Sequence, residues 1–372
     1  MLACNQSGKK GSYEKESLTN KIQWEMLMSK KTFSRRTALK TGAAALTAGA
    51  VMTGFPALTR SAQQKKFLKP IVAGLNGKEG DPSYTSVSDV PRILAEKYDI
   101  EVDFQIHPSS TLGTDLSQLD AVQTGFIDIT SNVTTQFMRY NPAFAVLDLP
   151  YIVTGWDQYG RIAKAPVWQQ QAAKFEQGVG VKVLPPVGAG GYRLFWNNLR
   201  QTKTPADAAG LKMRSVQSPI VIEMLRSWGC NPTPVPWVET YTALQQGVAD
   251  GFHVQPIWTF KFKMYEVLKY ATEVNAIFGI QFQVMNINTW NAIPESIQGP
   301  MMMAFQEAAD AANVRDREGE EFYKGELRKV GMEIYTPTKK EFAQWQEAAR
   351  SVWGSAGKDI DKSVIDDIIA LS

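Results

Sequence analysis

The pattern Ala-x-Gln-x-Gly-x-x-Asp occurs twice, as Ala121-Val122-Gln123-Thr124-Gly125-Phe126-Ile127-Asp128 and again as Ala243-Leu244-Gln245-Gln246-Gly247-Val248-Ala249-Asp250. Each copy closes a helical run with a glycine, the residue that best tolerates a left-handed cap, and leads into a short apolar strand. Two explanations are open. Two unrelated helices share a cap by coincidence, or two lobes with the same strand-helix wiring face each other across a cleft.

The chain ahead of the first copy supports strand-helix alternation. Pro70 to Leu75 is an apolar strand, and Asn76 to Pro82 is a glycine-containing loop. Ser88 to Tyr98 has helical spacing through Val90, Ile93 and Leu94, and Ile100 to Ile106 alternates as a second strand. The turn Pro108-Ser109-Ser110-Thr111-Leu112-Gly113 precedes a helix with Leu116, Leu119 and Val122 on one face, and Ile127 to Thr130 forms the next strand. Such alternation predicts parallel βαβ units, and open sheets of this kind place ligands beyond the carboxyl ends of their strands. The loops at Asn76, Thr114 and Asn132 are therefore expected on one rim. A length of 372 residues with 44% hydrophobic and 21% charged composition fits two globular domains.

Between the two copies, Gly210 to Gln217 (GLKMRSVQ) reads as a strand in which Leu211 and Met213 face one way and Lys212 and Arg214 the other. An arginine is the side chain best suited to a planar carboxylate, because its rigid fork meets both oxygens and stays charged. Arg214 is either a solvated strand residue or a cleft residue with that role. Pro219 to Trp228 reads as a helix. Pro232 to Trp237 is an extended entry to a further helix containing Tyr241 and Leu244. The run Gly188-Ala189-Gly190-Gly191 is no dinucleotide fingerprint, because Arg193 stands where the third glycine belongs.

Forty Lys and Arg balance 37 Asp and Glu, so no nucleic-acid footprint is present. Two cysteines, Cys4 and Cys230, and two histidines, His107 and His253, build no disulfide framework, haem site or zinc pattern. The start of the chain reads as an address. Ser34-Arg35-Arg36-Thr37-Ala38-Leu39-Lys40 is a twin-arginine signature followed by an Ala- and Gly-rich run from Thr41 to Thr59 that is too weakly hydrophobic to anchor in a bilayer. Residues ahead of Met26 or Met28 read as a polar leader, and export to the periplasm is the expected destination.

Taken in order, several segments resemble the DctP-type solute-binding proteins of TRAP transporters. They are Gly210-Leu211-Lys212-Met213-Arg214, Pro232-Thr233-Pro234-Val235-Pro236-Trp237, Glu239-Thr240-Tyr241-Thr242-Ala243-Leu244-Gln245, Val248-Ala249-Asp250-Gly251 and Tyr265-Glu266-Val267. Pro108 to Gly113 and Asp148-Leu149-Pro150-Tyr151 agree, and the resemblance runs from about Lys69 to the C-terminus. It implies an α/β protein of two-lobe periplasmic-binding-protein architecture, with hinge strands and a long helix near Pro294 to Glu326 bracing both lobes. The implied parts are a leader and twin-arginine signal over 1–62, and lobe I over 67–189, completed by about 280–320. Lobe II then covers 190–279, and C-terminal helices cover 321–372. By position, Arg214 resembles the carboxylate clamp and Arg193 the second cation. Asn76, Thr114, Asn132, Gln217 and Trp237 fall where relatives line the cleft.

One departure stands out. Val254 replaces a common asparagine, with Gln255 next and an apparent extra residue ahead of Pro256, so a polar ligand contact is lost or moved. The Glu-Trp pair of the metal-dependent branch is absent, so no metal and no cofactor are expected. Farther on, Thr338 and Glu341 fit a capping box. Trp290, Trp345, Trp353 and the Met301 to Met303 run are expected in the core. Three function classes follow: a TRAP receptor for a small organic acid acting with membrane subunits, an exported enzyme, and a receptor for an ABC transporter. No nucleophile, base or cofactor motif supports the enzyme.

Overall fold

The computed structural model describes residues 65–372, so the twin-arginine segment and its flanks lie outside the described residues. The chain runs through strands β1 (Lys65–Leu75), β2 (Ile100–His107), β3 (Ile129–Val133), β4 (Val181–Val183), β5 (Val187–Tyr192) and β6 (Leu194–Asn197). It continues through β7 (Lys212–Ser215), β8 (Asn231–Pro234), β9 (Gly251–Val254), β10 (Tyr270–Thr272), β11 (Phe278–Asn286) and β12 (Glu333–Tyr335). They build two sheets. The first has the order β2-β1-β3-β11-β4, with β5 also paired to β11, and the second has the order β12-β10-β6-β9-β7-β8.

The repeated pattern is a structural repeat. In the first copy Gly125 takes φ 76° after the helix Asp115–Thr124, and the Ala121 carbonyl accepts from the N–H groups of Phe126 (2.8 Å) and Ile127 (3.3 Å). In the second copy Gly247 takes φ 69° after the helix Thr240–Gln245, and the Ala243 carbonyl accepts from Val248 (2.9 Å) and Ala249 (3.2 Å). The closing aspartates do equivalent work. The Val72 N–H donates to Asp128 Oδ2 at 2.7 Å, and the Asp128 N–H donates back to the Val72 carbonyl at 2.8 Å. The Lys212 N–H donates to Asp250 Oδ2 at 2.8 Å, and the Asp250 N–H donates back to the Lys212 carbonyl at 2.7 Å. Each aspartate thus sets the parallel register of its strand pair, β1 with β3 and β7 with β9. Arg214, two residues past Lys212, occupies the place in lobe II that Gly74 holds in lobe I.

The chain passes from the first sheet to the second between β5 and β6, with Arg193 as the single residue between the two strands, and returns between β10 and β11. The first sheet therefore keeps the chain through Tyr192 rather than 189. The two passages are joined where the Arg193 N–H donates to the Ile277 carbonyl at 3.0 Å. Over them lies the long helix Glu295–Lys329, whose Ile297, Met301, Ala304, Phe305 and Ala308 join the core of the first sheet and whose Leu327 joins that of the second. Its Asn313 Oδ1 accepts from the Gly188 N–H (2.7 Å), its Asp316 Oδ2 from the Gly190 N–H (2.9 Å), and its Lys324 Nζ lies 2.8 Å from Glu273 Oε1. The glycine run before Arg193 has a packing cause. A Cβ on Gly188 would meet the Trp156 ring at 2.5 Å, and one on Gly190, at φ 92°, would meet Ile257 Cγ2 at 2.3 Å.

Some local expectations shift. The helix expected over Ser88 to Tyr98 forms as Val90–Tyr98, with Pro91 in its first turn, and a separate helix that was not expected, Pro82–Ser88, precedes it. The Met run is not uniformly core: Met301 is buried, but Met303 is 59% exposed on the outer face of its helix. The Thr338/Glu341 capping box forms, Trp345 and Trp290 are buried, and Trp353 is partly buried with its indole N–H donating to the Pro150 carbonyl at 3.1 Å. Among the described residues no helix is long and apolar enough to cross a membrane.

Candidate functional site

A cleft of about 530 Å³ is lined by Asn76, Asp115, Val133, Arg193, Arg214, Val216, Trp237, His253, Val254, Gln255, Trp258 and Gln281. It draws on the carboxyl ends of β1, β3, β7 and β9 and on the Arg193 passage. A smaller recess of about 330 Å³, lined by Thr114, Asp115, Leu116, Gln136, Arg214, Val216, Gln217, Val235 and Pro236, shares Asp115, Arg214 and Val216 with it.

Arg214 is 4% exposed, while its strand neighbour Lys212 is exposed and lies 3.5 Å from Asp250. The two-residue period thus puts Leu211 and Met213 in the core and leaves one of the two cations for the cleft. The guanidinium is held from behind. Nε donates to the Val235 carbonyl at 2.9 Å, and Cζ lies 5.5 Å from the Trp237 ring centre, within cation–π range. Trp237 is fixed edge-on against Phe262 (5.0 Å) and Trp258 (6.2 Å). Burial pushes the Arg214 pKa down to about 10, opposed by the Asp115 charge and reinforced by Arg193.

Arg193 is also 4% exposed, and burial lowers its pKa against the pull of Asp148. Its side chain makes no hydrogen bond or ion pair among the described residues, and neither do the terminal nitrogens of Arg214. Two buried guanidiniums with open donors are costly to leave alone and are suited to an anion bound between them.

The remaining charges answer these cations at a distance. Burial raises the Asp148 carboxyl to about 6. Arg193 opposes this, and so does the Thr134 hydroxyl, which lies near without hydrogen-bond geometry. Burial raises Asp115 too, against Arg214. His253 is held well below its usual range, first by burial and then by the Arg193 charge, against a pull from the Arg193 backbone, so it is neutral, and among the described residues neither ring nitrogen makes a hydrogen bond of normal geometry.

The other expected site residues separate into those facing the cleft and those behind it. Asn76 lines the cleft. Asn132 does not: it is fully buried behind Asn76, accepting from Asn76 Nδ2 at 2.9 Å and donating to Thr130 Oγ1 at 3.2 Å. Thr114 caps the helix Asp115–Thr124, its hydroxyl accepting from the Ser117 N–H, and with Gln217 it lines the recess rather than the larger space. Gln255 brings a carboxamide to the cleft one residue after Val254, and its Nε2 has no partner among the described residues. Its room comes from Gly279, where a Cβ would stand 1.8 Å from Gln255 Nε2.

The sequence reading did not pick out Asp115, Gln136, His253, Trp258 or Gln281. A usable signal existed for His253, since the two-residue period aligns it with Gly251 and Gln255. None existed for Gln281, which lies in a β11 strand buried along its whole length. Among the described residues no group of three or more His, Cys, Asp or Glu side chains could hold a metal ion.

The profile of the DctP family, bacterial extracellular solute-binding proteins of family 7, matches residues 73–359. This chain belongs to the DctP family. A DctP-family relative, the C4-dicarboxylate-binding periplasmic protein of Rhodobacter capsulatus, is 29% identical over 285 residues, 73% of this chain and 82% of that protein. The 2,3-diketo-L-gulonate-binding periplasmic protein of Escherichia coli is 25% identical over 287 residues, 77% of this chain and 84% of that protein. A crystal structure of a TRAP periplasmic solute-binding protein from Bordetella bronchispeptica, with density assigned to pantoate, superposes with TM-score 0.77 at 25% identity. It covers 82% of this chain and 99% of that one. The α/β fold of two lobes is that of the TRAP solute-binding proteins, and the DctP family is one of binding proteins rather than enzymes.

Proposed function

We propose that this DctP-family protein is a periplasmic receptor that captures a small organic acid in the inter-lobe cleft and delivers it to the membrane subunits of a TRAP-type transporter. The observation that carries this reading is the pair of buried guanidiniums, Arg193 and Arg214, with donors open to one space. The carboxylate sits between them, with Asn76, Gln255 and Trp237 on the surrounding wall. Asn132 supports Asn76 from behind, and Thr114 and Gln217 belong to the adjoining recess. The solutes named for the three relatives are carboxylates, which agrees.

With β5 kept in the first sheet, lobe I runs from 67 through Tyr192 and is completed by about 280–320, lobe II runs from Arg193 to 279, and the helices of 321–372 pack on both. The strand passages on either side of Arg193 and Ile277 act as the hinge. On this reading the protein binds and releases its acid without turnover. The test is to purify the protein and identify co-purifying acids by mass spectrometry, then to screen carboxylates by melting. A bound acid and a raised melting temperature support the receptor. Turnover of an acid, or silence across a broad panel, overturns it.

A further inference from the structure

Two cations alone would suit a dicarboxylate, but the cleft does not present two free positive charges. Asp115 lines both the cleft and the recess, and Asp148 is fully buried where its charge acts on Arg193. Among the described residues neither carboxylate forms an ion pair with an arginine, so both guanidiniums keep open donors while the charge of the region is largely cancelled. One carboxylate can be held by the open donors. A second would enter a region already carrying two aspartates, and burying surplus like charge is strongly unfavourable.

Three oxygens on these walls are left over as acceptors. Among the described residues Asp115 Oδ1 and Gln136 Oε1, on the wall of the recess, and Gln281 Oε1, on the wall of the cleft, have no hydrogen-bond partner, while Gln255 Nε2 is a donor that faces the carboxylate. Buried polar atoms without partners are rare in folded proteins, and several around one space point to a ligand that supplies what is missing. The missing groups are hydroxyl or N–H donors.

Resting on the receptor reading above, we propose that the ligand is a hydroxylated monocarboxylate. Its carboxylate lies between Arg193 and Arg214, and its hydroxyl-bearing end enters the recess lined by Thr114, Asp115, Gln136 and Gln217. Arg214, on the wall of both spaces, is the point where the two ends of the ligand meet. Asp115 is the residue that selects against a second carboxylate, because it repels an anion and accepts from a hydroxyl.

Calorimetry on the purified protein with two sets of probes of matched length tests this: hydroxylated monocarboxylates such as threonate, xylonate and gluconate, and plain dicarboxylates such as succinate, glutarate and adipate. The best hydroxylated acid is expected to bind at least about tenfold more tightly than the best dicarboxylate, the range of one charge-assisted hydrogen bond. Asp115→Asn should narrow that gap by weakening the first set and strengthening the second, and Gln136→Leu should weaken the first set alone. A dicarboxylate that binds more tightly than every hydroxylated acid overturns the inference and leaves the receptor standing. A gap unchanged in both variants overturns the assignment of the recess. Silence across both sets instead counts against the receptor reading itself.

Discussion

Lys261 Nζ lies 2.6 Å from Asp81 Oδ1, and this pair ties the loop after β1 to the end of the helix Pro256–Lys261 that follows β9. The contact is reciprocal. Lys261 Nζ reaches the Glu79 carbonyl at 3.4 Å, and Lys78 Nζ donates to the Lys261 carbonyl at 3.1 Å while lying 4.3 Å from the Phe262 ring centre. Segments of the two sheets are thus clasped near the cleft by groups that hold each other from both sides.

Lys261→Met should loosen that clasp. Asp81 is fully buried, so removing its partner strands a carboxylate, although the cost stays below the roughly 3–5 kcal/mol of a fully buried pair because Lys261 keeps 19% side-chain exposure. X-ray scattering is expected to show a larger radius of gyration without ligand, and calorimetry a weaker affinity. Adding Asp81→Asn should recover part of the stability. An unchanged radius and affinity in Lys261→Met would show that the pair does not hold the lobes together.

Gly279→Ala tests how Gln255 is placed. The new Cβ would lie 1.8 Å from Gln255 Nε2 and 3.2 Å from Ala189 Cβ, so the carboxamide must leave its position. Overpacking of this kind costs about 1–3 kcal/mol. The melting temperature should fall, and Gln255→Ala added to Gly279→Ala should restore most of it. A double variant no more stable than Gly279→Ala would show that the crowding lies elsewhere.

Asp148 gives the cleft a pH dependence of fixed sign. Burial raises its folded-state carboxyl to about 6, above the ordinary 3.8, so the folded protein binds that proton more tightly than the unfolded chain. Its contribution to stability therefore rises as pH falls from about 6 towards 3.8, and the penalty of the charged form is fully present above 6. Protonation also removes the negative charge that offsets Arg193, so affinity for an acid that stays ionised should increase between pH 7.5 and 5.5. Calorimetry across that window checks it, with Asp148→Asn expected to flatten the profile. An affinity that falls with pH would contradict the account.

Much of the scaffold was readable because it depends on local rules. The Gly caps at Gly125 and Gly247 and the aspartates behind them repeat in sequence because each lobe needs the same helix stop and the same two-bond clamp on a neighbouring strand. Arg214 was readable from alternation with Leu211 and Met213. What escaped depends on sequence-distant neighbours. Asn132 looked like a rim residue, yet its partners are Asn76 and Thr130, one layer below the surface of the cleft. His253 reaches the wall through the pairing of β9 with β6 and β7, and Gln281 through that of β11 with β3 and β5, and no short window of sequence encodes these registers.

Binding of an organic acid by the wild-type protein and by Arg214 variants tests the central claim most directly. A ligand at about 100 times its dissociation constant should add about 2.7 kcal/mol to the folded state. Arg214→Lys keeps the charge but loses the fork and the Nε donor to Val235, and should bind about tenfold or more weakly. Arg214→Ala should lose roughly 2–5 kcal/mol of binding, and Arg193→Ala less. Circular dichroism and melting without ligand confirm that each variant is folded. Calorimetry showing these losses in folded variants is the predicted result. A folded Arg214→Lys protein that binds its acid as tightly as the parent would contradict the account and place the carboxylate elsewhere.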